Sequence, residues 1–262
     1  MLSNNQKNFK RYLKVRIFKQ KVKKAFDNGS THYDSNSILQ KVVLENLLNL
    51  FFFEIGNKNH EFSLLDIGCG TGVGSKELSQ KIFLKKMHLL DISSKMIEKA
   101  KLNLDNDKVK FIKHDFDSFD HYQNYDLLIS NMSIHWSRNY LKLIQKILNS
   151  MKKDSILLLS FPNSNSFHDL KKDQKKFTNK FPKINDLKSS LEDTKYYYRI
   201  IKRIHKNEFN NVLLFFKSLK KIGANVSNQM NKPKGLFKLR KDKEKVSVSF
   251  DISYIFVRKI KN

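Results

Sequence analysis

The stretch that decides the fold runs from Leu64 to Gly72 and reads LLDIGCGTG. This pattern is typical of a buried strand that turns sharply into a helix, because glycine reaches positive φ and lets a ligand approach the backbone. A dinucleotide site has similar glycines, with a pyrophosphate at the helix N-terminus. Asp66 argues against that ligand, since a carboxylate repels a diphosphate but can pair with an ammonium group. A plain glycine-rich turn is the other alternative.

Downstream of this stretch, strand-like and helix-like segments alternate along the chain. Alternation of this kind predicts parallel pairing with right-handed crossovers, hence an α/β fold with a doubly wound, mostly parallel seven-stranded sheet. The predicted strands are 62–67, 87–91, 109–113, 125–130, 156–161, 197–204 and 246–257, and the predicted helices are 37–53, 75–83, 94–104, 140–151 and 209–222.

Three further segments complete the predicted organisation. Residues 1–36 are expected to form a basic N-terminal arm and lid, of which 5–24 are weakly helical, and 37–262 the main domain. Residues 163–195 are polar and are expected to be an insertion on the substrate side with its own helix. The alternation of Val246, Val248, Phe250 and Ile252 predicts a half-exposed strand near a sheet edge.

Charge is distributed unevenly over the 262 residues. The net charge is +26, of which residues 1–24 and 201–262 together carry +21. These flanks are either a solvated surface or a docking face for an acidic partner, and part of the lysine excess can reflect AT-rich codons. Cys69 is the single cysteine, which excludes an intrachain disulfide and a cysteine-based zinc cluster. No apolar run is long enough to span a membrane and no secretion signal is evident, so a cytoplasmic location is expected.

Polar residues stand at the ends of the next three predicted strands. Asp91 lies where doubly wound folds accept hydrogen bonds from ribose hydroxyls, although it could instead cap the following helix, a role for which Ser93 competes. Asp115 and Phe116 suit the exocyclic amine and the face of an adenine, but aspartate after a strand is also common turn chemistry. Asn131 falls at the topological switch point, where open α/β sheets bind ligands.

Over residues 64–161 the sequence resembles the class I methyltransferases, which have a Rossmann-like fold. The resemblance implies S-adenosyl-L-methionine as cofactor. It places Asp66, Gly68 and Gly70 against the methionine part. It also places Asp91 and Ile92 at the ribose, and Asp115 and Phe116 at the adenine.

Three segments carry a narrower resemblance. Residues 25–40 (AFDNGSTHYDSNSILQ), 130–136 (SNMSIHW) and 218–224 (SLKKIGA) are similar to segments of the malonyl-acyl carrier protein O-methyltransferases of biotin synthesis. A related family that acts on a subunit of respiratory complex I shares versions of the last two segments but lacks the first. His135 stands where other members often carry glutamine.

The narrower resemblance implies methylation of the free carboxylate of a malonyl thioester, carried on acyl carrier protein or coenzyme A. Such a carboxylate is already ionised at neutral pH and needs no general base, so proximity and orientation should dominate catalysis. Tyr33 is expected to close over the cofactor or to pack a lid onto the core. Trp136 is a pocket wall or a catalytic residue, and Arg138 pairs with the carboxylate or begins a helix in solvent. His135 is a further candidate for a proton role.

Two other functions stay open. The basic flanks favour an RNA or protein methyltransferase. Against this, the residues after Asn131 lack the prolines of adenine-methylating enzymes. Cys69 also lies in the glycine turn, and not where the cysteine nucleophile of a 5-methylcytosine enzyme would be. A non-enzymatic assembly factor that keeps the fold is the other alternative. On balance a nucleic-acid partner and a metal site are not expected.

Overall fold

Seven strands form one sheet in the computed structural model, which describes residues 4–56, 60–104, 107–226, 239 and 242–261. The strand order is β3-β2-β1-β4-β5-β7-β6. Strands β1 to β5 are parallel, and β7 is antiparallel to both of its neighbours. The doubly wound, mostly parallel seven-stranded sheet is therefore confirmed. The strands are β1 (Glu61–Ile67), β2 (Phe83–Asp91), β3 (Val109–Lys113), β4 (Leu127–Asn131), β5 (Ile156–Pro162), β6 (Tyr196–Phe209) and β7 (Val246–Lys259).

Helices cover both faces of the sheet, and the buried apolar side chains form one cluster on each face. None of the described helices has both the length and the apolar character that crossing a bilayer requires. The helices are α1 (Asn4–Gly29), α2 (Tyr33–Asn36), α3 (Ile38–Ile55), α4 (Val73–Ser79), α5 (Ser94–Asn103), α6 (Tyr140–Ser150), α7 (Lys172–Lys175), α8 (Ile184–Leu191) and α9 (Val212–Lys221).

Three helical predictions need correction. The helix expected at 75–83 ends at Ser79, because Phe83 already pairs with Glu61 as the first residue of β2. The segment 5–24 is part of the continuous helix α1 rather than weakly helical. The insertion carries two helices, α7 and α8, instead of one. The domain boundary at residues 36 and 37 stays a prediction.

Strand β7 is not half-exposed as its alternating pattern predicted. It lies between β5 and β6, and its residues from Val248 to Val257 are all buried. The polar positions that suggested a solvent face are covered by the insertion: Asn163 Nδ2 donates to Asp251 Oδ1 at 2.9 Å, and Ser166 Oγ donates to the carbonyl of Asp251 at 3.1 Å. Strand β6 is the edge strand and carries the exposed positions.

Candidate functional site

The turn after β1 brings the backbone to the carboxyl edge of the sheet. Gly68 has a φ of +74°, and its N–H donates to the carbonyl of Leu90 at 2.7 Å, which ties the turn to the end of β2. A Cβ at position 68 would lie 1.7 Å from Ser133 Oγ, so only glycine fits between these two loops. At Gly70 a Cβ would meet nothing closer than the Tyr33 ring at 3.8 Å. The backbone at Gly70 therefore borders open space beneath Tyr33.

Asp91 ends β2 beside this turn and accepts two backbone hydrogen bonds. The N–H of Gly70 donates to its Oδ2 at 3.0 Å and the N–H of Ser93 donates to its Oδ1 at 2.8 Å. The cap of α5 is Ser93, whose Oγ accepts from the N–H of Met96 at 3.1 Å. Burial raises the pKa of the Asp91 carboxyl to about 6, although these backbone donors favour its charged form. Asp91 is thus a loop-organising carboxylate rather than a helix cap.

Asp66 is a second carboxylate near the same turn, and its side chain is buried. Burial raises its pKa to about 7; the hydrogen bond that Ser75 Oγ donates to Oδ2 at 2.6 Å opposes this shift, and repulsion from Asp91 adds to it. Within the described residues, the ion pairs include neither carboxylate. A buried carboxylate and a half-buried one, neither paired with a cation, suit a ligand that carries positive charge and hydroxyl donors.

The loops after β3 and β4 complete this end of the sheet. Asp115 caps the short turn 116–118 by accepting from the N–H of Asp117 at 3.0 Å, and the ring of Phe116 is buried. Asn131 is held from both sides, because Ser160 Oγ donates to its Oδ1 at 2.6 Å and its Nδ2 donates to the carbonyl of Gln40 at 3.0 Å.

These loops enclose a first pocket, called here the glycine-loop pocket. It brings together seven of the eight residues predicted to bind cofactor, namely Gly68, Gly70, Asp91, Ile92, Asp115, Phe116 and Asn131. Asp66 lies in an adjoining space under Tyr33, lined also by Gly68, Gly70 and Asn131. The four predicted strand ends therefore converge on one place.

A second space, called here the aromatic cavity, lies beside the first. Its empty volume is about 790 Å³, including its open mouth. Its walls come from segments far apart in sequence: the N-terminal segment, the turn 134–136, the insertion, α9 and β7. Among the side chains that these segments contribute are Phe26, His135, Phe167, Phe181, Phe216 and Phe250.

Four residues, Phe26, Tyr33, Met132 and Trp136, line both spaces and form their shared wall. Tyr33 is enclosed there; burial, together with the nearby carboxylates Asp91, Asp34 and Asp66, raises the pKa of its hydroxyl, which stays protonated. Met132 has a φ of 53°, a left-handed conformation that costs a non-glycine residue about 1–3 kcal/mol. Its N–H is fixed to the carbonyl of Ser160 at 2.9 Å. Strained backbone thus stands where the two spaces meet.

The substrate candidates from the sequence separate in the structure. Tyr33 and Trp136 lie in the shared wall, and His135 lines the aromatic cavity between Trp136 and Phe181. Burial lowers the pKa of His135 to about 3, and its Nδ1 has no hydrogen-bond partner among the described residues. Arg138 lies outside both spaces: it is exposed, and its guanidinium stacks on the Phe18 ring of α1 at 5.0 Å. The structure does not bring Arg138 to the cavity because the turn 134–136 directs the chain outward after Trp136.

Sequence reasoning missed the N-terminal residues that line these spaces. Lys19, Val22 and Phe26 follow one face of α1 into the glycine-loop pocket. The apolar residues Phe18, Val22 and Phe26 repeat at a spacing of four, which is a readable helical signal, but the lysines between them concealed it. Gln40 was noticed only as part of a resembling segment, and it lines the aromatic cavity.

Two of the segments that resemble one family contact each other. Gly223, in the SLKKIGA segment, has a φ of +76°, and a Cβ there would lie 2.7 Å from the carbonyl oxygen of Ala25. This close packing joins the end of α9 to the end of α1 beside the aromatic cavity. A segment with no part in the glycine-loop pocket thus shapes the neighbouring space.

Comparison with known proteins gives consistent findings. A family model described as "Methyltransferase domain" matches residues 58–233. Malonyl-[acyl-carrier protein] O-methyltransferase 1 of Ilyobacter polytropus is 28% identical, over 94% of this chain and 96% of that protein. Malonyl-[acyl-carrier protein] O-methyltransferase of Priestia megaterium is 31% identical, over 81% of this chain and 84% of that protein.

Solved structures share the fold at low sequence identity. YcgJ from Bacillus subtilis has a TM-score of 0.59 and 14% identity, covering 83% of this chain and 100% of that chain. The plantazolicin methyltransferase BpumL in complex with SAH has a TM-score of 0.57 and 17% identity, covering 95% of this chain and 99% of that chain.

Among the described residues, no group of three or more histidine, cysteine or acidic side chains is arranged to hold a metal ion.

Proposed function

The chain belongs to the malonyl-[acyl-carrier protein] O-methyltransferase family, and from that premise we propose that it methylates the free carboxylate of a malonyl thioester carried on acyl carrier protein. It is an S-adenosylmethionine-dependent O-methyltransferase, and that cofactor supplies an electrophilic methyl group on a sulfonium. The product ester would prime the pimeloyl chain of biotin in the cytoplasm.

The residues of the glycine-loop pocket and of the adjoining space under Tyr33 fit this cofactor. Asp66, Gly68 and Gly70 would hold the methionine part, where a buried carboxylate can pair with an ammonium group. Asp91 and Ile92 would hold the ribose, and Asp115 and Phe116 the adenine. Asn131, fixed by Ser160 and Gln40, would border the methyl group. Burial raises the pKa of both Asp66 and Asp91, so a cationic ligand with hydroxyl groups would relieve the cost of keeping them charged.

The observation that carries the proposal is the shared wall between the two spaces. Tyr33, Met132 and Trp136 border both, so a group in the aromatic cavity can reach a methyl group held in the glycine-loop pocket. Proximity of this kind can supply several kcal/mol of rate enhancement, on the order of 7–11 in favourable cases, without a separate catalytic acid or base.

The titratable groups of the aromatic cavity favour an acceptor that is already ionised. Within the described residues these groups are Tyr33 and His135, and burial keeps the tyrosine protonated and the imidazole neutral. A histidine with a pKa of about 3 is a poor base for an amine or hydroxyl acceptor. A malonyl carboxylate needs no such base, because a carboxyl group with an ordinary pKa of about 4 is already ionised at neutral pH.

Neutral hydrogen-bond donors near the shared wall would orient that carboxylate. Gln40 lines both the aromatic cavity and the space beneath Tyr33. Its backbone carbonyl accepts a hydrogen bond from Asn131 Nδ2, and its side-chain amide makes no hydrogen bond to another described residue. We therefore assign Gln40, with the Trp136 indole and the Tyr33 hydroxyl, to the carboxylate, in place of Arg138. Neutral donors orient a carboxylate while leaving it more nucleophilic than an ion pair would.

The carrier would dock at the mouth of the aromatic cavity. Helix α9 contributes Phe216 and Leu219 to the cavity wall, and Lys217, Lys220 and Lys221 on the same helix are exposed. Acyl carrier proteins are strongly acidic, so this lysine face would attract one and align its thioester with the cavity.

The test offers the full-length protein four acceptors with labelled cofactor: malonyl-carrier protein, acetyl-carrier protein, malonyl-coenzyme A and total RNA. We expect an alkali-labile methyl ester on the malonyl substrates and none on the acetyl substrate, because the nucleophile is the distal carboxylate, which the acetyl group lacks. Methylation of RNA with affinity that falls steeply with salt, and no reaction with malonyl thioesters, would replace the proposal with the RNA alternative.

A further inference from the structure

Lys19 of α1 is a lysine that the fold has taken out of solvent. Its side chain is 9% exposed, and its Nζ lies 2.8 Å from both Asp115 Oδ1 and Asp117 Oδ2. The same ammonium stands 4.2 Å from the centre of the Phe116 ring. Lysine is almost never buried without partners, so this side chain has a specific place in the structure.

That place is the adenine end of the glycine-loop pocket. Lys19 lines the pocket together with Asp115, Phe116, Ile92 and Met96. Asp115 Oδ1 accepts both the lysine ammonium and the N–H of Asp117, which fixes the plane of the carboxylate. The ammonium also stands between two carboxylates, which would repel one another without it.

Further hydrogen bonds hold α1, α2 and the start of α3 against the same end of the sheet. Asp27 Oδ1 accepts from Ser93 Oγ at 2.6 Å, beside Asp91. Thr71 Oγ1 donates to Asp34 Oδ1 at 2.6 Å, and the carbonyl of Gln40 accepts from Asn131. Bonds from α1, α2 and the start of α3 thus reach the carboxyl end of each of β1, β2, β3 and β4, and Lys19 supplies the bond at β3.

We propose that Lys19 is a positioning residue for adenine recognition: by neutralising Asp117 and fixing Asp115, it holds one carboxylate oxygen ready to accept the 6-amino group of the base. Without the ammonium, the carboxylates repel, Asp115 turns away, and the pocket loses its preference for a 6-amino purine over a 6-oxo purine. The inference rests on the cofactor assignment and not on the identity of the methyl acceptor.

The experiment measures binding of two ligands to the full-length protein by calorimetry: S-adenosylhomocysteine, and S-inosylhomocysteine, which has a 6-oxo group. Lys19→Met keeps the apolar stem and removes the charge. We expect it to lower the affinity for the adenosyl ligand about tenfold, as for loss of a hydrogen bond to a charged group, and to change the affinity for the inosyl ligand much less. Lys19→Arg should restore most of the adenosyl preference.

A matched variant separates positioning from simple stapling of α1. Adding Asp117→Asn to Lys19→Met removes the repulsion between the two carboxylates. The double variant should therefore recover part of the adenosyl preference, although both ion pairs of Lys19 are absent. Equal weakening of both ligands by Lys19→Met, without recovery in the double variant, would overturn the proposal in favour of a structural staple. No change in either ligand would overturn it as well.

Two further measurements keep the result unambiguous. Thermal unfolding monitored by circular dichroism identifies a variant that fails to fold, and Lys19→Gln, which can still donate to Asp115, then replaces Lys19→Met with a smaller expected loss of preference. If the wild-type protein binds neither ligand, the cofactor assignment itself fails, which differs from a Lys19 variant that loses both ligands equally.

Discussion

The glycine-loop pocket and the aromatic cavity adjoin each other but are built in different ways. The pocket is made mainly of the loops that follow consecutive parallel strands, with one face of α1 beside them, and Asp91 is held there by two backbone N–H donors. The cavity is made of side chains such as Phe26, Phe181 and Phe216, and its walls come from five separate parts of the chain. The first is a property of local sequence and strand order, and the second is a property of tertiary packing.

This difference decided what the sequence could reveal. Asp91 and Asn131 end recognisable strands and Asp115 follows one, so parallel strand order alone predicts that these three residues converge. No periodicity links Phe26 to Phe181 or Phe250, since their proximity depends on how the insertion and α1 dock. The sequence motifs therefore predict the glycine-loop pocket but not the aromatic cavity beyond the shared wall.

The largest expected effect breaks the pocket at its glycine turn. Gly68→Ala places a Cβ 1.7 Å from Ser133 Oγ as well as straining a φ of +74°. We expect the affinity for S-adenosylhomocysteine to fall at least about a hundredfold, measured by calorimetry, because the loops after β1 and β4 must separate. Gly56→Ala is the matched control: it also has a positive φ, of +60°, but its Cβ would meet nothing within 4 Å. Equal loss in both variants would contradict the steric argument.

The next effect concerns the buried carboxylate Asp66. The folded-state pKa of Asp66, about 7, lies above its ordinary value, so this group lowers the stability of the ligand-free protein as pH rises from about 4 to about 7. Asp66→Asn should therefore raise the free energy of unfolding at pH 8, on the order of 2 kcal/mol, with a smaller gain at pH 5. The same variant should bind cofactor about tenfold more weakly.

Opposite signs for stability and binding are the distinctive outcome for Asp66. Denaturant unfolding at the two pH values gives the first, and calorimetry gives the second. A variant that is less stable than wild type at pH 8, or that binds cofactor normally, would mean that this carboxylate is structural.

An intermediate effect sharpens the assignment of the cavity. Gln40→Leu removes a neutral donor near the shared wall while leaving the backbone carbonyl that Asn131 contacts. The KM for malonyl thioester should rise about tenfold in steady-state kinetics, with cofactor affinity unchanged. Arg138→Met, whose guanidinium stacks outside the cavity on Phe18, should keep KM within about twofold of wild type. The reverse pattern would restore Arg138 to the carboxylate.

The smallest effect concerns the approach to the cavity. Lys217→Glu with Lys220→Glu should lower kcat/KM for carrier-bound malonate about fivefold, with the difference shrinking at high salt because encounter is electrostatic. Turnover of malonyl-coenzyme A should change much less. Lys81→Glu with Lys85→Glu makes the same charge change near the start of β2, at the opposite end of the sheet, and should have little effect. Equal effects of the two pairs would indicate net charge rather than a docking face.

Other parts of the fold were predictable to differing degrees, for physical reasons. Strand β3 was predicted residue for residue, because its apolar run is bounded by clear turn signals. The exposure of β7 was misjudged because Ser249, Asp251 and Ser253 look solvent-facing until the insertion covers them. The role of Lys19 was hidden within a charge of +9 over residues 1–24, where nothing in the local sequence distinguishes the lysine that pairs with Asp115 and Asp117.

The most direct test is a crystal structure of the protein with S-adenosylhomocysteine and a non-hydrolysable malonyl thioester analogue. We expect the homocysteine sulfur to lie beside the wall formed by Tyr33, Met132 and Trp136. The malonyl carboxylate should lie across that wall, within hydrogen-bond reach of Gln40. The thioester arm would leave through the aromatic cavity beneath α9. A malonyl group bound outside this cavity, or a carboxylate paired with Arg138, would contradict it.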